Sequence, residues 1–592
     1  MRQMEEVYLQ TPKAKCIISQ LLTDHPLILA GSAISGWEPT CLPVGMDFTK
    51  GMFNLLFPSH FLGNNSHLIE HVKMLFEKVS FEHLLERCPD HQKLTPIIKR
   101  VFQIDRFNPV HMAIAEAFIK GTVQGVITTN YDLCLDKLLV TANITRVVTK
   151  EDLELVDATK KVYFKIHGSA DDNNGETLRW ALSHESYLEP WKREILLNMI
   201  KDKSLLIIGY SGLDFEICPE ILKMPVKNVY WNIFREEDMS PNARRFLKEK
   251  TGYFLFGDMR ILLSSLVNHH VNAEKPKRSS NDLLDSIKKE FTEYEIGIWK
   301  ASLLNSMGCA SLALKAGKEM LAKEMLATDL VVNLRRQKAQ ALFHSGKYHQ
   351  SAKVFYKTAK ELDSNFYSSL RSALLLDACD AYRCYGGFLR AIRCLKEARK
   401  EIQKIAEANK CIELEGRAAL KEVLLWRHLY QLLRRIKIPF LANIIKRKAT
   451  NLLQLASKNS LKVGNWFDFQ QVRLWAERLD IDPSILASQI PYEPPPPKEG
   501  YEHLGYHVAQ SMYLRDQLNK TKGDLYLEEE QSLEKHMKIC IAFDNYPELW
   551  KLSFIGLRRS SKKKEYLRNF LKAFLFCEYT IPMRLYQFIL RE

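Results

Sequence analysis

His167 closes the apolar run Val162-Tyr163-Phe164-Lys165-Ile166 and is followed by Gly168, a pattern that places its imidazole at the carboxyl end of a strand. Imidazole titrates near neutrality and can take a proton as general base; simple packing is the rival role. Asn130 and Asp132 follow a second such run, Gly125-Val126-Ile127-Thr128-Thr129. The amide could orient a ribose or a water. The carboxylate could pair with a carboxamide or stabilise developing positive charge. Helix capping is the competing role for each. A third run, Ser204 to Ile208, leads into Gly209, Tyr210, Ser211, Gly212 and Asp214. The Ser211 hydroxyl suits phosphate or ribose, and Asp214 suits either a ligand or the cap of the next helix. Asn232 ends a further run from Val226, where it could contact the adenosine side of a nucleotide.

These side chains need a scaffold that brings strand ends together. Leu27-Ile28-Leu29-Ala30 reads as a buried strand, and Gly31-Ser32-Ala33-Ile34-Ser35-Gly36 as its exit turn. Small residues and free N–H groups there suit a pyrophosphate at a helix start. Trp37 to Gly51, with Pro39, Pro43 and Gly45, reads as a loop over the ligand. Helical periodicity over 13–22, 67–85 and 108–120 alternates with the strands. Alternation of this kind predicts an α/β fold, a Rossmann-like parallel sheet covered on both faces, with ligands at the carboxyl edge. Val226 to Asn232 is the last strand expected.

The polar stretch Asn272 to Asp282 marks a boundary between a domain over 1–272 and a helical one over 282–592. Beyond it, Leu/Ala/Lys/Glu helices dominate. Gly308, Gly346 and Gly386 recur at spacings of about 40 residues. Small residues and an aromatic accompany the later two: Ala352 with Phe355, and Ala391 with Phe388. The pattern predicts an all-α, solenoid-like region similar to tetratricopeptide repeats, and no clean repeat is visible after it. Pro491 to Pro497 reads as a stiff spacer.

A chain of 592 residues exceeds one hydrophobic core. The net charge of +15 favours polyanions without requiring them. The twelve cysteines form no Cys-x-x-Cys, which argues against a four-cysteine zinc module, and Cys16, Cys41, Cys134 and Cys218 are expected to be reduced and packed. No apolar run nears the roughly 20 residues of a membrane span. With no apolar signal core at the amino terminus, a cytoplasmic location is expected and no membrane partner. His-Glu-x-x-His, phosphate-loop and Gly-x-Ser-x-Gly motifs do not occur.

Together these segments resemble the sirtuin (Sir2-like) family, especially its bacterial defence branch. Gly31-Ser32-Ala33-Ile34-Ser35 is similar to that family's Gly-Ala-Gly-Ile-Ser turn, and Thr129-Asn130-Tyr131-Asp132 to its Gln-Asn-Ile-Asp. His167-Gly168 matches its catalytic pair. Gly209-Tyr210-Ser211 stands at its Gly-Thr/Ser-Ser turn, and Asn232 at its late asparagine. Ala33 replaces the family's second glycine, so its backbone must tolerate a Cβ. The four zinc cysteines of the deacylating members are missing.

The resemblance implies NAD as substrate, no metal, and His167, Asn130 and Asp132 as catalytic residues. It places Gly31, Ser32, Ala33, Ile34, Ser35, Gly209, Ser211, Asp214 and Asn232 around the dinucleotide. Defence-type relatives without the zinc module hydrolyse NAD to nicotinamide and ADP-ribose. An NAD-depleting antiphage effector is therefore expected, as a homo-oligomer triggered by a protein bound to the helical region; nucleic acid is the lesser alternative. NAD-dependent deacylation or ADP-ribosyl transfer is the alternative chemistry, and a non-catalytic nucleotide-sensing scaffold the alternative class.

Overall fold

A computed structural model describes every residue except 1–3, 43–44, 59–60, 62–68, 71, 74–78, 80, 105, 157–159, 182–187, 213, 215, 276–281, 322–327, 464–471, 473–474, 477–478, 483–517, 519–524, 526, 543–545, 561, 580–582 and 584–592. The proline-rich stretch, about half of the 67–85 helix and part of the 272–282 segment lie outside the described residues. The chain divides into two compact units. The first comprises 1–52, 80–86 and 90–290, and the second 53–79, 87–89 and 291–592.

The first unit is built on eight parallel strands: β1 (Glu5–Tyr8), β2 (Leu27–Ala30), β3 (Gly125–Thr128), β4 (Ile144–Val147), β5 (Lys161–Lys165), β6 (Leu205–Ile208), β7 (Val229–Ile233) and β8 (Gly252–Phe256). Their spatial order is β1-β8-β7-β6-β2-β3-β5-β4. Every residue of β2, β3, β6 and β7 is buried, which is why the first three read as unbroken small or apolar runs and β7 is broken only by Asn232. The edge strands Glu-Glu-Val-Tyr and Ile-Thr-Arg-Val keep half or more of their positions partly or fully open, so apolar runs could not reveal them. The sheet also extends past the last strand expected, through the aromatic β8. Separate apolar clusters cover its two faces, one around Ile28, Ile114, Phe118 and Leu206, the other around Leu29, Ile127, Phe164 and Trp231.

After β2 the chain moves to β3 and its neighbours on one side; after β5 it returns to β6 on the other. The switch point therefore lies between β2 and β6, where α/β sheets present a crevice. Helix α1 (Pro12–Asp24) precedes β2, and α2 (Pro109–Lys120) precedes β3. Asn108 caps α2, its side chain accepting from the amides of Val110 and His111, and Gly121 ends it at φ 85°. The segment from Trp37 to Gly51 is loop only in its first part, because a helix begins at Gly45.

The second unit is helical. Glu293–Ser306 pairs with Ala310–Leu321, Thr328–His344 with Tyr348–Glu361, and Ser368–Tyr385 with Phe388–Ile402. The recurrent glycines sit in the turns of these hairpins at φ 78°, 79° and 95° for Gly308, Gly346 and Gly386. In each, the amide after the glycine reaches a carbonyl five residues back: Cys309 to Leu304, Lys347 to Leu342 and Gly387 to Tyr382. That is the hydrogen bond of a Schellman turn. A fourth hairpin joins Ala408–Arg435 to Pro439–Lys462. Its turn is built the same way, Ile438 to Leu433, with Lys437 at φ 59° where the others have glycine. The repeat thus continues one hairpin beyond its glycine signature. Stacked hairpins of this kind form a solenoid-like arrangement.

Candidate active site

Strand register gathers the predicted residues at one sheet edge. Thr128 pairs with Lys165, so Asn130 and His167 stand at matching positions beyond β3 and β5. Ala30 pairs with both Thr128 and Ile208, which sets the Gly31–Ser35 turn between the exits of β3 and β6. All these loops leave carboxyl ends of parallel strands.

Ser35 is the hub. Its Oγ lies 2.8 Å from Asp132 Oδ2, 3.0 Å from His111 Nε2 and 3.0 Å from Asn130 Nδ2. Asn130 Nδ2 also lies 3.2 Å from Asp132 Oδ2. The other Asp132 oxygen accepts from the Cys134 amide at 3.1 Å, as a cap does. Burial pushes the Asp132 carboxyl up, but its neighbours, among them the Lys165 charge and the Ser35 hydroxyl, outweigh it and hold the group below its ordinary value. Both carboxylate oxygens are thus engaged inside the protein. The Asn130 side-chain oxygen is buried and has no hydrogen-bond partner among the described residues.

Below this cluster a buried cation fixes the loop after β3. Lys165 Nζ, fully inaccessible, donates to the Asp132 carbonyl at 2.5 Å and to Asp136 Oδ2 at 3.0 Å. Arg146 and Tyr163 also bond to Asp136. A buried lysine persists only when so paired.

His167 is buried, and its Nε2 lies 3.1 Å from Glu216 Oε1, itself buried in the loop after β6. Gly168 follows at φ 89°, where a Cβ would lie 2.1 Å from the Thr177 carbonyl oxygen. That explains the His-Gly pairing sterically.

The turns after β2 and β6 touch. Gly31 donates to the Ile208 carbonyl at 3.0 Å and Ala33 to that of Gly209 at 3.1 Å. A Cβ on Gly31 would come within 2.5 Å of Gly209 O. Ser32–Ser35 form one short 3-10 turn. Ala33 is not among the residues with positive φ, so its Cβ causes no backbone strain there. Ser32 is exposed, Ala33 half-buried and Ile34 buried.

The remaining predicted residues divide. Ser211 is exposed and leaves its hydroxyl at the surface of the β6 turn. Asp214 instead accepts from the Ile217 and Cys218 amides and from the Tyr210 hydroxyl, the capping role. Burial pushes its carboxyl up to about 6. Asn232 donates to the Leu255 and Gly257 carbonyls at 2.8 and 3.0 Å, binding β7 to the exit of β8.

The expectation of no metal rested on cysteine spacing. The fold brings His111, Asp132 and Cys134 together, with ligand-type atoms within 4.8 Å of one another, a grouping that spacing does not reveal. Burial drives the Cys134 thiol far above its ordinary value. Cys218 is likewise buried, while Cys41 is partly open and Cys16 exposed.

His111 and Glu216 are the site residues that sequence reading missed. Asn108-Pro109 does announce a helix start, and position 111 is where a capping-box side chain falls. The link from His111 to Ser35 spans 76 residues and has no local signature.

An all-parallel sheet with a polar cluster at its carboxyl edge is the arrangement in which α/β proteins place their ligand sites. Within it, residues 124–249 match the family model for the SIR2-like domain. The chain thus carries a SIR2-like domain over part of its length, which supports NAD-related enzymatic chemistry in general. Among curated proteins, none matches the chain. Among solved structures, the signal transduction ATPase with numerous domains protein with a tetratricopeptide repeat sensor from Pyrococcus horikoshii is similar at 12% identity. The match covers 99% of this chain and 93% of that one at a TM-score of 0.24, too low to bear on function. Among the described residues, no helix is long and apolar enough to cross a membrane.

Proposed function

We propose that the first unit hydrolyses NAD, cleaving the bond between nicotinamide and ribose. The observation that carries this reading is the matched placement of His167 and Asn130 beyond adjacent strands, with Asn130 bonded to Ser35 and both His167 and Asn130 inside the stretch that matches the SIR2-like domain. The C1′–N bond breaks, and its electron pair neutralises the departing pyridinium. Positive charge grows on the ribose, and the buried Asp132 carboxylate stabilises it electrostatically. Water adds at C1′, and His167 accepts its proton. Glu216 supports the imidazolium so formed. The products are nicotinamide, ADP-ribose and a proton. The Gly31, Ala33 and Ile34 amides are already bonded to carbonyls within the fold, so the exposed part of that turn at Ser32 and the exposed Ser211 hydroxyl serve the pyrophosphate. Asp214 and Asn232 shape the turns rather than contact the dinucleotide.

Unchecked NAD loss is toxic, so such an enzyme must stay silent until triggered. Stacked helical hairpins suit protein recognition. We therefore assign the second unit to binding a protein trigger or to self-assembly, in a cytoplasmic antiphage effector.

The internal ties of Asp214 and Asn232 also favour a second reading, a nucleotide sensor without turnover. Incubating the full-length chain with NAD across protein concentrations, and following nicotinamide and bound nucleotide, separates the two. Release that His167→Ala abolishes supports hydrolysis; NAD binding without release at every concentration selects the sensor. Turnover only with an acylated peptide would select deacylation.

A further inference from the structure

His111 is a buried, hydrogen-bonded ring that the reaction above does not use. It lies in the first turn of α2 and is fully inaccessible. Its Nδ1 accepts from the Asn108 amide at 3.3 Å, closing the capping box. In a neutral ring the proton is then on Nε2. Burial depresses the ring's proton affinity, against the opposing charge of Asp132, and so favours the neutral form.

The direction of every other bond follows. Nε2–H donates to Ser35 Oγ, 3.0 Å away. Ser35 has one hydroxyl proton, and it goes to Asp132 Oδ2 at 2.8 Å. An ionised Asp132 has no proton to give, so the Asn130 atom 3.2 Å from it must be the amide nitrogen. That same nitrogen donates to Ser35 at 3.0 Å. The Asn130 oxygen is left buried and without a partner among the described residues, a state that costs stability until something donates to it.

We propose that His111 is a positioning residue. Acting through Ser35, it fixes the Asn130 carboxamide so that its oxygen is the acceptor offered to a ligand. The site then selects a hydrogen-bond donor at that point, a ribose hydroxyl or the amine of a nicotinamide carboxamide. The identity of the donor rests on the NAD reading; the bond directions do not.

Two substitutions separate this role from helix capping. His111→Asn keeps an acceptor near the Nδ1 position for the Asn108 amide but cannot reach Ser35. His111→Gln keeps a donor near the Nε2 position but loses the cap. kcat and KM for nicotinamide release are measured with the melting temperature. His111→Asn is expected to lower kcat/KM by roughly tenfold or more with little change in melting, the size of one lost hydrogen bond. His111→Gln is expected to stay near wild-type activity while melting earlier. The reverse ranking, with His111→Gln the more impaired in turnover, overturns the proposal. Nitrogen-15 NMR of histidine-labelled full-length protein reads the tautomer without any turnover. A proton on Nε2 supports the bond chain even if wild type proves inactive, which would sink the NAD reading alone. A proton on Nδ1 overturns the proposal whatever the activity.

Discussion

Nε2 of His167 lies 3.1 Å from Oε1 of Glu216, and both side chains are buried. The contact joins the exit of β5 to the loop after β6, across the two strands that lie between them. A carboxylate this close stabilises the imidazolium that forms when the ring accepts a proton.

Glu216→Gln should therefore act on turnover more than on binding. It keeps shape and polarity but removes the charge. We expect kcat for nicotinamide release to fall on the order of 10- to 100-fold with KM changed little, less than a full acid–base contribution because Glu216 acts through the ring. Steady-state kinetics check this. An unchanged kcat with a raised KM would show that Glu216 serves binding instead.

Asp214 gives the fold a pH dependence of defined sign. Its carboxyl is pushed from 3.8 up to about 6 by burial, opposed by His167 and the helix amides it caps. The folded state then binds a proton more tightly than the unfolded chain. The linked stability is fully present below about pH 4 and is lost as pH rises through about 6, by on the order of a few kcal/mol. Asp214→Asn keeps an oxygen for the Ile217 and Cys218 amides and cannot ionise. Denaturation at pH 4.5 and 7.5 should show the first unit of this variant stabilised relative to wild type at the higher pH and little changed at the lower. Equal shifts at both would rule out Asp214 as the titrating group.

The turn after β6 tolerates no side chain at its first residue. Gly209 has φ 61°, and a Cβ there would sit 2.9 Å from Ile34 Cγ2 and 3.0 Å from the Ile34 nitrogen. Gly209→Ala should cost about 1–2 kcal/mol from backbone conformation alone, with further loss as the Gly31–Ser35 turn is displaced. Lower melting of the first unit and weaker ADP-ribose binding are the expected readouts. Binding at wild-type strength would mean that this turn does not meet the nucleotide.

What the sequence revealed follows from where each signal was stored. β2, β3 and β6 are buried on both faces, so their apolar runs and small exit residues stood out. Asn130, Asp132 and His167 were visible because strand, turn and polar residue are contiguous there. β1 and β4 were hidden by their open edge positions. Asp214 was ambiguous in sequence, since a carboxylate shortly before a helix can cap or bind; its bonds to Ile217 and Cys218 show it capping. Ser35 read only as part of a phosphate turn. Its place between His111 and Asp132 depends on contacts across 76 and 97 residues, which no local pattern encodes.

The fourth helical hairpin offers a test of the repeat itself. Three hairpin turns place glycine in the left-handed region, and the fourth places Lys437 there at φ 59°, with its side chain exposed. A lysine in that conformation carries a steric cost of roughly 1–2 kcal/mol that glycine avoids. Glycine gives back about 0.5–1 kcal/mol through its freer unfolded chain. Lys437→Gly should therefore stabilise the second unit by about 1 kcal/mol or less, seen as a later melting transition. Gly346→Ala should do the opposite and by more, because φ is 79° and the new Cβ would lie 2.8 Å from Cys577 Sγ. If Lys437→Gly destabilises the unit while Gly346→Ala is neutral, the two turns are not equivalent, and the fourth hairpin is not a continuation of the repeat.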